Sequence, residues 1–445
     1  MSDAPDRTGV PPGALAFLLA TVLVNTIGFG LLIPVTPALI ASLTGDGIEQ
    51  AAAWGGSLMF VYAAMQFLFA PIMGNLSDRF GRRPVLLIAI AALSVDYLLM
   101  ALAPTIAWLF AGRLLAGMLG ATAPVANAYM ADISSGADRA RNFGLIGAAW
   151  GVGFVLGPVI GGLLGELGPR VPFWTAAALT AGSCLFGLLV LPETLQREHR
   201  RPFALRRANP IGTALQLRGH ALILPMLGVA FLYQLAHDAN PSVWSYATMV
   251  RFDWTELQVG LSLGLVGVMS IIVQGFLIRP VIKRLGEPRA VVTGLALMSF
   301  GFAGFAFARE GWQMLVMVLP FCLGTFAMPA LRSLASNRIA DSEQGALQGA
   351  FSSTASLSAI IAPLVMTSLF TWFTSGGAPF AFPGAPFFLA AVLALASLLS
   401  FRRLGLQRSP PAATEADRRD PARGVMAERD ASEPRSSARA DPDLS

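Results

Sequence analysis

The segment that decides the fold is Gly74-Asn75-Leu76-Ser77-Asp78-Arg79-Phe80-Gly81-Arg82-Arg83-Pro84, a charged turn between two apolar runs. Gly81 allows the turn to close tightly, because glycine adopts backbone angles that other residues avoid. Asp78 can pair with a nearby arginine or cap the N-terminus of a helix. The segment therefore predicts two helices joined by a short charged loop. Two roles are open for this loop: a latch that holds one conformation, or an ordinary charged loop at a membrane surface.

The chain around this segment carries too little charge for a soluble protein. Of its 445 residues, 55% are hydrophobic and 13% are charged, and its mean hydropathy is +0.62. Soluble domains carry roughly 25% charged residues, because their surfaces face water. A helix of about 20 apolar residues crosses a bilayer. We predict twelve spans, near residues 14–40, 52–73, 84–103, 106–132, 141–165, 171–192, 220–240, 257–279, 288–308, 311–334, 344–370 and 382–402.

The basic residues predict the orientation of these spans. Loops on one side hold Arg79, Arg82, Arg83, Arg139, Arg141, Arg197, Arg200, Arg201, Arg206, Arg207, Arg218, Arg279, Lys283, Arg284, Arg289 and Arg338. The other side has only Arg170, Arg251 and Arg309. Because positive loops stay in the cytoplasm, both termini are expected there. The same dispersal over loops explains the pI of about 9.7 better than nucleic-acid binding does.

Three polar segments divide the predicted spans. We expect a cytoplasmic N-terminus at 1–13, a cytoplasmic central loop at 193–219 and a disordered cytoplasmic tail at 403–445. The first apolar run is too long for a cleaved signal peptide and is expected to remain as a span. The arginine-rich, lysine-poor composition indicates a GC-rich bacterial genome. We therefore predict a multi-pass protein of the bacterial inner membrane.

The two groups of six spans repeat each other at an offset of 205 residues. Arg79-Phe80-Gly81 corresponds to Arg284-Leu285-Gly286, Gly144 to Gly349, and Pro158 to Pro363. Three matches at one offset indicate a duplication. The sequence therefore predicts an all-α membrane protein with twelve transmembrane helices in two pseudo-symmetric six-helix halves, at 14–192 and 220–402. Parallel repeats of this kind are typical of transporters with a substrate site between the halves.

Several motifs carry a family resemblance. The segment at 74–84 closely resembles the loop signature of the major facilitator superfamily. Gly112-Arg113-Leu114-Leu115-Ala116-Gly117 is similar to its buried-arginine motif, and Gly157-Pro158-Val159-Ile160-Gly161-Gly162 to the motif of twelve-span drug:proton antiporters. Asp96-Tyr97-Leu98-Leu99 and Gln344-Gly345-Ala346-Leu347-Gln348-Gly349 resemble the tetracycline-efflux branch. The resemblance covers roughly residues 14–402 and implies the major facilitator fold.

The resemblance also implies roles for several residues. The gating motif would comprise Gly74, Asp78, Arg79, Gly81, Arg82, Arg83, Asp132 and Arg141, with Asp132 at the cytoplasmic end of span four. The antiporter motif would comprise Gly153, Gly157, Pro158 and Gly161. Glycines at this four-residue spacing lie on one helix face and let helices approach closely. Static packing and a contact that slides during transport both fit this face.

Buried charge marks the candidate site for proton coupling. A charged group at the bilayer centre costs about 2.5–3.5 kcal/mol on insertion scales, so it is rarely without function. Asp96 in span three and Arg113 in span four are such groups, and a purely structural ion pair is the alternative. Further candidates for lining a cavity are Asn25, Gln66, Asn127, Tyr233 and Gln234, together with Tyr129 and Gln274. His237 and Asp238 are expected at the outer end of span seven, in water.

Three positions depart from the tetracycline-efflux pattern. Asn25 stands where the resemblance implies aspartate, Ser270 where it implies histidine, and Met298 where it implies an aspartate. We therefore expect Asp96 to be the acid that couples protons in the N-terminal half. We expect no acid within a span of the C-terminal half. Tetracycline as the substrate is not implied by these residues.

The sequence predicts a membrane transporter and not an enzyme. The leading hypothesis is proton-coupled efflux of amphipathic small molecules by alternating access, from a monomer in the lipid bilayer. The alternatives are a lipid or metabolite transporter without proton coupling, and a membrane sensor that transports nothing. We expect no cofactor, no metal site and no nucleic-acid partner. Cys184 and Cys322 lie in apolar runs without metal-ligand spacing, and no catalytic triad is apparent.

Overall fold

The computed structural model describes residues 13–120, 122–134, 136, 138–201 and 222–406. Over these residues the secondary structure is helical. Eleven of the predicted spans are long and apolar enough to cross a membrane as continuous or nearly continuous helices. The twelfth, span seven, consists of two shorter helices that follow each other directly. The chain is therefore a multi-pass membrane protein.

The helix bounds follow the predicted spans closely. The first six spans are Ala14–Leu32 with Thr36–Thr44, Ile48–Phe80, Arg82–Leu102, Ile106–Leu119 with Thr122–Ile133, Arg139–Gly165 and Val171–Val190. The second six are Ile223–His237 with Ala239–Phe252, Glu256–Leu285, Glu287–Phe307, Gly311–Gly324 with Ala327–Ser336, Gln344–Thr374 and Ala385–Arg403. Span eight contains one π-helical segment, Val273–Leu277. Short 3-10 turns occupy Arg197–His199 and Asp341–Glu343.

Spans one, four, seven and ten are each interrupted near their centre, and proline explains all four interruptions. Proline has no N–H, and its ring clashes with the carbonyl four residues earlier. The four prolines are Pro37, Pro124, Pro241 and Pro329, and the corresponding carbonyls belong to Ile33, Gly120, His237 and Thr325. Each of these carbonyls lies at the point where one helix ends and the next begins.

The interruption in span seven corrects a prediction. Span seven was expected to end near residue 240, with Asp238 in water at its outer end. The helix instead resumes at Ala239 and continues to Phe252. Asp238 therefore lies near the middle of the span, directly at the interruption.

The helix bounds repeat at the predicted offset of 205 residues. Arg82–Leu102 corresponds in this way to Glu287–Phe307, and Ile106–Leu119 corresponds to Gly311–Gly324. Spans five and eleven begin at Arg139 and Gln344, which are also 205 residues apart. The two halves are therefore built from the same helices in the same order, as the sequence repeat indicates.

We call the end of the bundle that holds the loops after the even-numbered spans the arginine-rich end. Of the segments predicted to lie there, residues 1–12, 202–221 and 407–445 fall outside the described residues. Arg206, Arg207 and Arg218 of the predicted central loop and most of the predicted tail belong to these segments.

Two of the arginines at the opposite end bind helix carbonyls. Arg170 donates to the carbonyls of Ala101 (3.1 Å) and Ala103 (2.7 Å), at the end of span three. Arg251 donates to the carbonyls of Ala306 (3.3 Å) and Ala308, at the end of span nine. The last carbonyls of a helix have no partner within the helix. Each arginine therefore caps the third span of its own half.

The glycines of span five pack it against span one. A Cβ atom built on Gly157 would lie 2.8 Å from the Cα atom of Gly30, and one built on Gly161 would lie 2.7 Å from that of Leu31. Gly153 is as close to Thr26. The predicted smooth face is thus present, and it contacts a span of the same half.

A different face of span five contacts the other half. A Cβ atom on Gly162 would lie 2.9 Å from the Cα atom of Leu257 in span eight. A Cβ atom on Gly267 of span eight would lie 2.7 Å from the side chain of Val155. Spans five and eight therefore remain close over several turns, from the end opposite the arginines towards the middle.

Candidate functional site

Two adjoining cavities lie between the halves. The smaller, of about 230 Å³, is lined mainly by apolar and aromatic groups together with Gln66 and Arg113. The larger, of about 580 Å³, is lined by Gln66, Gln234, Asp238 and several serines. The two cavities share Ala63, Gln66 and Ala359. Together they form an apolar space with a few polar groups, as is typical of small-molecule sites.

Contacts between the halves close the end of the smaller cavity that lies opposite the arginines. Ser245 of span seven donates a hydrogen bond to the carbonyl of Ile33 (2.9 Å). Thr371 of span eleven donates to the carbonyl of Glu49 at the start of span two (2.9 Å). Towards the arginine-rich end these two helices separate, since no heavy atom outside the local backbone lies within 4 Å of a Cβ atom built on Gly74 or Gly345.

Asp96 and Arg113 form a buried ion pair behind the smaller cavity. The Asp96 side chain is 0% exposed and that of Arg113 is 11% exposed. The guanidinium group also lies 5.4 Å from the ring centroid of Tyr62 and 3.0 Å from the sulfur of Met100. Arg113 lines the cavity, whereas Asp96 is reached from it only past Arg113.

A polar path leads from this pair into the larger cavity. Arg113 lies over the ring of Tyr62, and the amide of Gln66 donates to the Tyr62 hydroxyl (3.2 Å). Gln66 is in turn common to both cavities. The predicted residues Asp96, Arg113 and Gln66 are thus brought together in the N-terminal half.

The other predicted cavity residues are placed less uniformly. Gln234 lines the larger cavity, and Tyr233 is buried beside it, stacked at 6.0 Å on His237. Asn127 is exposed on span four. Neither polar atom of the Asn25 side chain has a hydrogen-bond partner among the described residues, although both are buried.

Asp238 is the functional candidate that the sequence did not reveal. Its carboxylate accepts hydrogen bonds from Gln234 (3.0 Å) and from Ser358 of span eleven (2.7 Å). The side chain is only 14% exposed and lines the larger cavity. The expectation of no acid within the spans of the C-terminal half is therefore wrong. Pro241, four residues after His237, was the available signal that span seven continues past Asp238.

The two positions that depart from the tetracycline-efflux pattern in the C-terminal half lie outside both cavities. Ser270 lies 3.8 Å from the sulfur of Cys322. Met298 is completely buried, and a Cβ atom on Gly324 would lie 2.7 Å from its backbone nitrogen. Neither residue is among those that line the two cavities.

The gating motif forms a polar cluster at the arginine-rich end. Arg82 contacts the carboxylate of Asp78 (2.6 Å) and that of Asp132 (3.3 Å). It also donates to the hydroxyl of Ser77 (2.6 Å). Asp78 and Asp132 thus contact the same arginine, as expected of residues that act together at one end of the transporter.

Glu193 completes this cluster from the chain after span six. Its carboxylate accepts from the backbone N–H groups of Arg82 (2.8 Å) and Arg83 (3.3 Å) at the start of span three. The first N–H groups of a helix lack partners within the helix, and an acidic group there is favourable. Gly81, with φ of 111°, allows the carboxylate to approach, because a Cβ atom at this position would clash with Glu193. Sequence reasoning did not single out Glu193.

The remaining residues of the gating motif lie around the cluster. Arg83 donates to the carbonyl of Leu188 (2.7 Å), and Arg79 lies 5.1 Å from the ring of Phe80. Arg141 is exposed at the start of span five, and Gly74 faces open space. In the described residues no group of three His, Cys, Asp or Glu side chains is arranged to hold a metal ion.

Known proteins share this architecture. The family model of the Major Facilitator Superfamily matches residues 18–326 and 239–442. The class C tetracycline resistance protein of Escherichia coli is 39% identical over 390 residues, which are 88% of this chain and 96% of that protein. The class G protein of Vibrio anguillarum is 38% identical over 393 residues, or 86% and 96% of the two chains. The solved structure of the nucleoside transporter NupG has a TM-score of 0.73 at 14% identity, covering 88% of this chain and 99% of that chain.

Proposed function

Because the chain belongs to the major facilitator superfamily, we propose that it exports amphipathic small molecules from the bacterial cytoplasm in exchange for protons. It is a membrane transporter and not an enzyme. The proposal adds a class of substrate, a direction and a coupling ion to that assignment.

The observation that carries the proposal is the space between the halves. It combines apolar walls with Arg113, Gln66 and Asp238, and contacts between the halves close it on one side. A substrate that is partly apolar and partly polar matches such walls. Spans two and eleven touch at one end and separate at the other. Alternating access follows if the cluster of Asp78 and Arg82 binds the opposite half when the space opens the other way.

The orientation follows from the distribution of arginines. We place the arginine-rich end in the cytoplasm, together with both termini, because positive loops remain on that side. The space between the halves would then face the cytoplasm in this conformation, ready to receive a substrate for export. We expect a monomer in the inner membrane, since the complete space lies within one chain.

The alternative of an uncoupled lipid or metabolite transporter loses its main support. It depended on the lack of an acid within the spans of the C-terminal half, and Asp238 lies there. The relatives are named tetracycline resistance proteins, so tetracycline belongs among the compounds to test. Asn25, Ser270 and Met298 differ from the efflux pattern, and the proposed substrate class is accordingly wider than tetracycline.

The test is transport by purified protein reconstituted in liposomes with an imposed pH gradient. Accumulation of tetracycline or of another amphipathic compound should follow the gradient and collapse with a protonophore. Asp96→Asn should abolish the dependence on the gradient, while Asp46→Asn, an exposed acid outside the spans, should behave as wild type. Since Asp96→Asn leaves Arg113 unpaired, the double variant Asp96→Asn/Arg113→Leu removes both charges and keeps the test valid if the single variant does not fold. Gradient-independent transport by the wild type would overturn the proposal of coupling.

A further inference from the structure

Span seven carries an acid at its proline-induced interruption. Pro241 cannot donate to the carbonyl of His237, so the helix is weakened at Asp238. The hydroxyl of Ser242 donates to the backbone carbonyl of Asp238 (2.6 Å). The interruption thus fixes the backbone at this residue and leaves its side chain at the wall of the larger cavity.

The hydrogen bonds of the Asp238 carboxylate are incomplete. One oxygen accepts from Gln234 and the other from Ser358. An ionised carboxylate has about four acceptor sites, so two donors leave roughly half of them free. Because the side chain lines the cavity, a solute in the cavity can reach the remaining sites.

No fixed cation neutralises Asp238 among the described residues. The Nδ1 atom of His237 is 3.7 Å away and makes no hydrogen bond, and the ring is held between Tyr233 and Phe321 at 6.0 and 5.9 Å. Arg332 of span ten lies within electrostatic range of Tyr233 but not within 4 Å of Asp238. Asp96, in contrast, has Arg113 as a direct partner.

The surrounding helices supply only neutral groups to Asp238. Span eleven contributes the hydroxyl of Ser358, and span two contributes the amide of Gln66 to the same cavity. Span twelve contacts span seven through Ser397, whose hydroxyl donates to the carbonyl of Val229. An acid in such surroundings needs a proton or a mobile cation, because an unpaired charge within a membrane is costly.

We propose that Asp238 is the exchange site of the C-terminal half, which holds a proton in the empty transporter and the charged group of an amphipathic organic cation in the loaded one. The inference rests on the proposed function and names the substrate class. On loading, the O–H bond of the carboxylic acid breaks, the proton passes to water in the cavity, and the carboxylate pairs with the cation. Charge is conserved in this exchange, since one positive charge leaves as another arrives.

The apolar walls of the space fit such a cation. Phe67 lies in the larger cavity, and Phe29 and Tyr62 line the smaller one. Aromatic faces attract organic cations as well as apolar groups. Asp238 is the only acid among the residues that line the two cavities, and the one cation there, Arg113, is paired with Asp96.

The test is equilibrium binding of ethidium, an aromatic cation, to the purified full-length protein in detergent between pH 5 and 9. The affinity of the wild type should rise with pH over part of this range, with release of about one proton per ethidium bound. Asp238→Asn should lose about 30-fold or more in affinity and lose the proton release, because truncating one partner of a buried charge pair is costly. Asp253→Asn, at the exposed end of the same span, is the matched control.

A labelling experiment supports the assignment without a substitution. Carbodiimide reacts with protonated carboxyl groups in apolar surroundings, so mass spectrometry should find Asp238 labelled in the wild type and protected by ethidium. Binding of ethidium by Asp238→Asn with the affinity and pH dependence of Asp253→Asn would overturn the inference, as would wild-type protein that does not bind ethidium. Because neither measurement requires transport, binding without gradient-driven export would refute the proposed function while leaving this inference standing.

Discussion

The contact between spans one and five gives a prediction whose size follows from the structure. In Gly161→Ala, the new Cβ atom would lie 2.7 Å from the Cα atom of Leu31, whereas an ordinary contact begins at 3.4 Å. Backbone cannot move aside as a side-chain end can. The helices must therefore separate by several tenths of an ångström, against the other close contacts at Gly153 and Gly157. Overpacking of this kind costs about 1–3 kcal/mol.

The same span provides a matched control. No atom lies within 4 Å of a Cβ atom built on Gly147, so Gly147→Ala adds a methyl group without a clash. Alanine also stabilises a helix over glycine, by about 0.5–1 kcal/mol in soluble proteins. We expect Gly161→Ala to be less stable than wild type and Gly147→Ala to be equally or more stable. The measurement is equilibrium unfolding in mixed micelles with increasing sodium dodecyl sulfate, followed by tryptophan fluorescence.

The neighbouring residue separates stability from conformational exchange. Gly162 faces span eight of the other half, with a built Cβ atom 2.9 Å from the Cα atom of Leu257. Gly162→Ala should therefore alter the balance between the two conformations, seen as changed transport per folded molecule. Gly161→Ala acts within one half and should change stability but not this ratio. Equal unfolding free energies for Gly161→Ala and Gly147→Ala would refute the reasoning about close contact.

Three further predictions concern single side chains. Asp78→Ala should impair transport in liposomes while leaving ligand binding largely intact, because Asp78 lies in the gating cluster away from the cavities; an equal loss of binding would contradict a latch. Glu193→Ala should lower the unfolding free energy by about 1 kcal/mol through loss of a helix cap, whereas the exposed Glu198→Ala should not, and identical values would exclude the capping role. Asn25→Leu should not reduce stability, since the Asn25 amide has no partner among the described residues; a large loss of stability would reveal a partner.

Much of the fold could be predicted because the bilayer restricts the chain to few solutions. Apolar length gave eleven spans directly, and the offset of 205 residues holds between helix bounds as well as between motifs. The gating cluster was also accessible, since Asp78, Arg82 and Asp132 are close to conspicuous turns. Glu193 escaped attention because its role depends on chain folding back after span six, which no local pattern indicates.

The central acid was missed for a physical reason that concerns polar residues in broken helices. Residues 237–242 contain His237, Asp238, Asn240 and Pro241, a composition typical of a loop in water. The apolar run therefore appeared to end there. In the structure, proline interrupts the helix without ending it, and the polar groups serve the cavity between the halves. Polar residues beside a proline within an apolar region are thus better interpreted as a broken span when another apolar or aromatic segment follows.

The two capping arginines have a consequence for the history of the chain. Arg170 and Arg251 bind carbonyls at matching places in the two halves, but they come from different positions: one follows span five and the other ends span seven. The ancestral duplicate must have carried one arrangement at most, so at least one copy replaced its closing arginine later. Each copy solved the problem with its own residues and borrowed nothing from its sister. Selection has therefore acted on each half as a separate inheritable module, free to diverge in its details while its outline stayed the same.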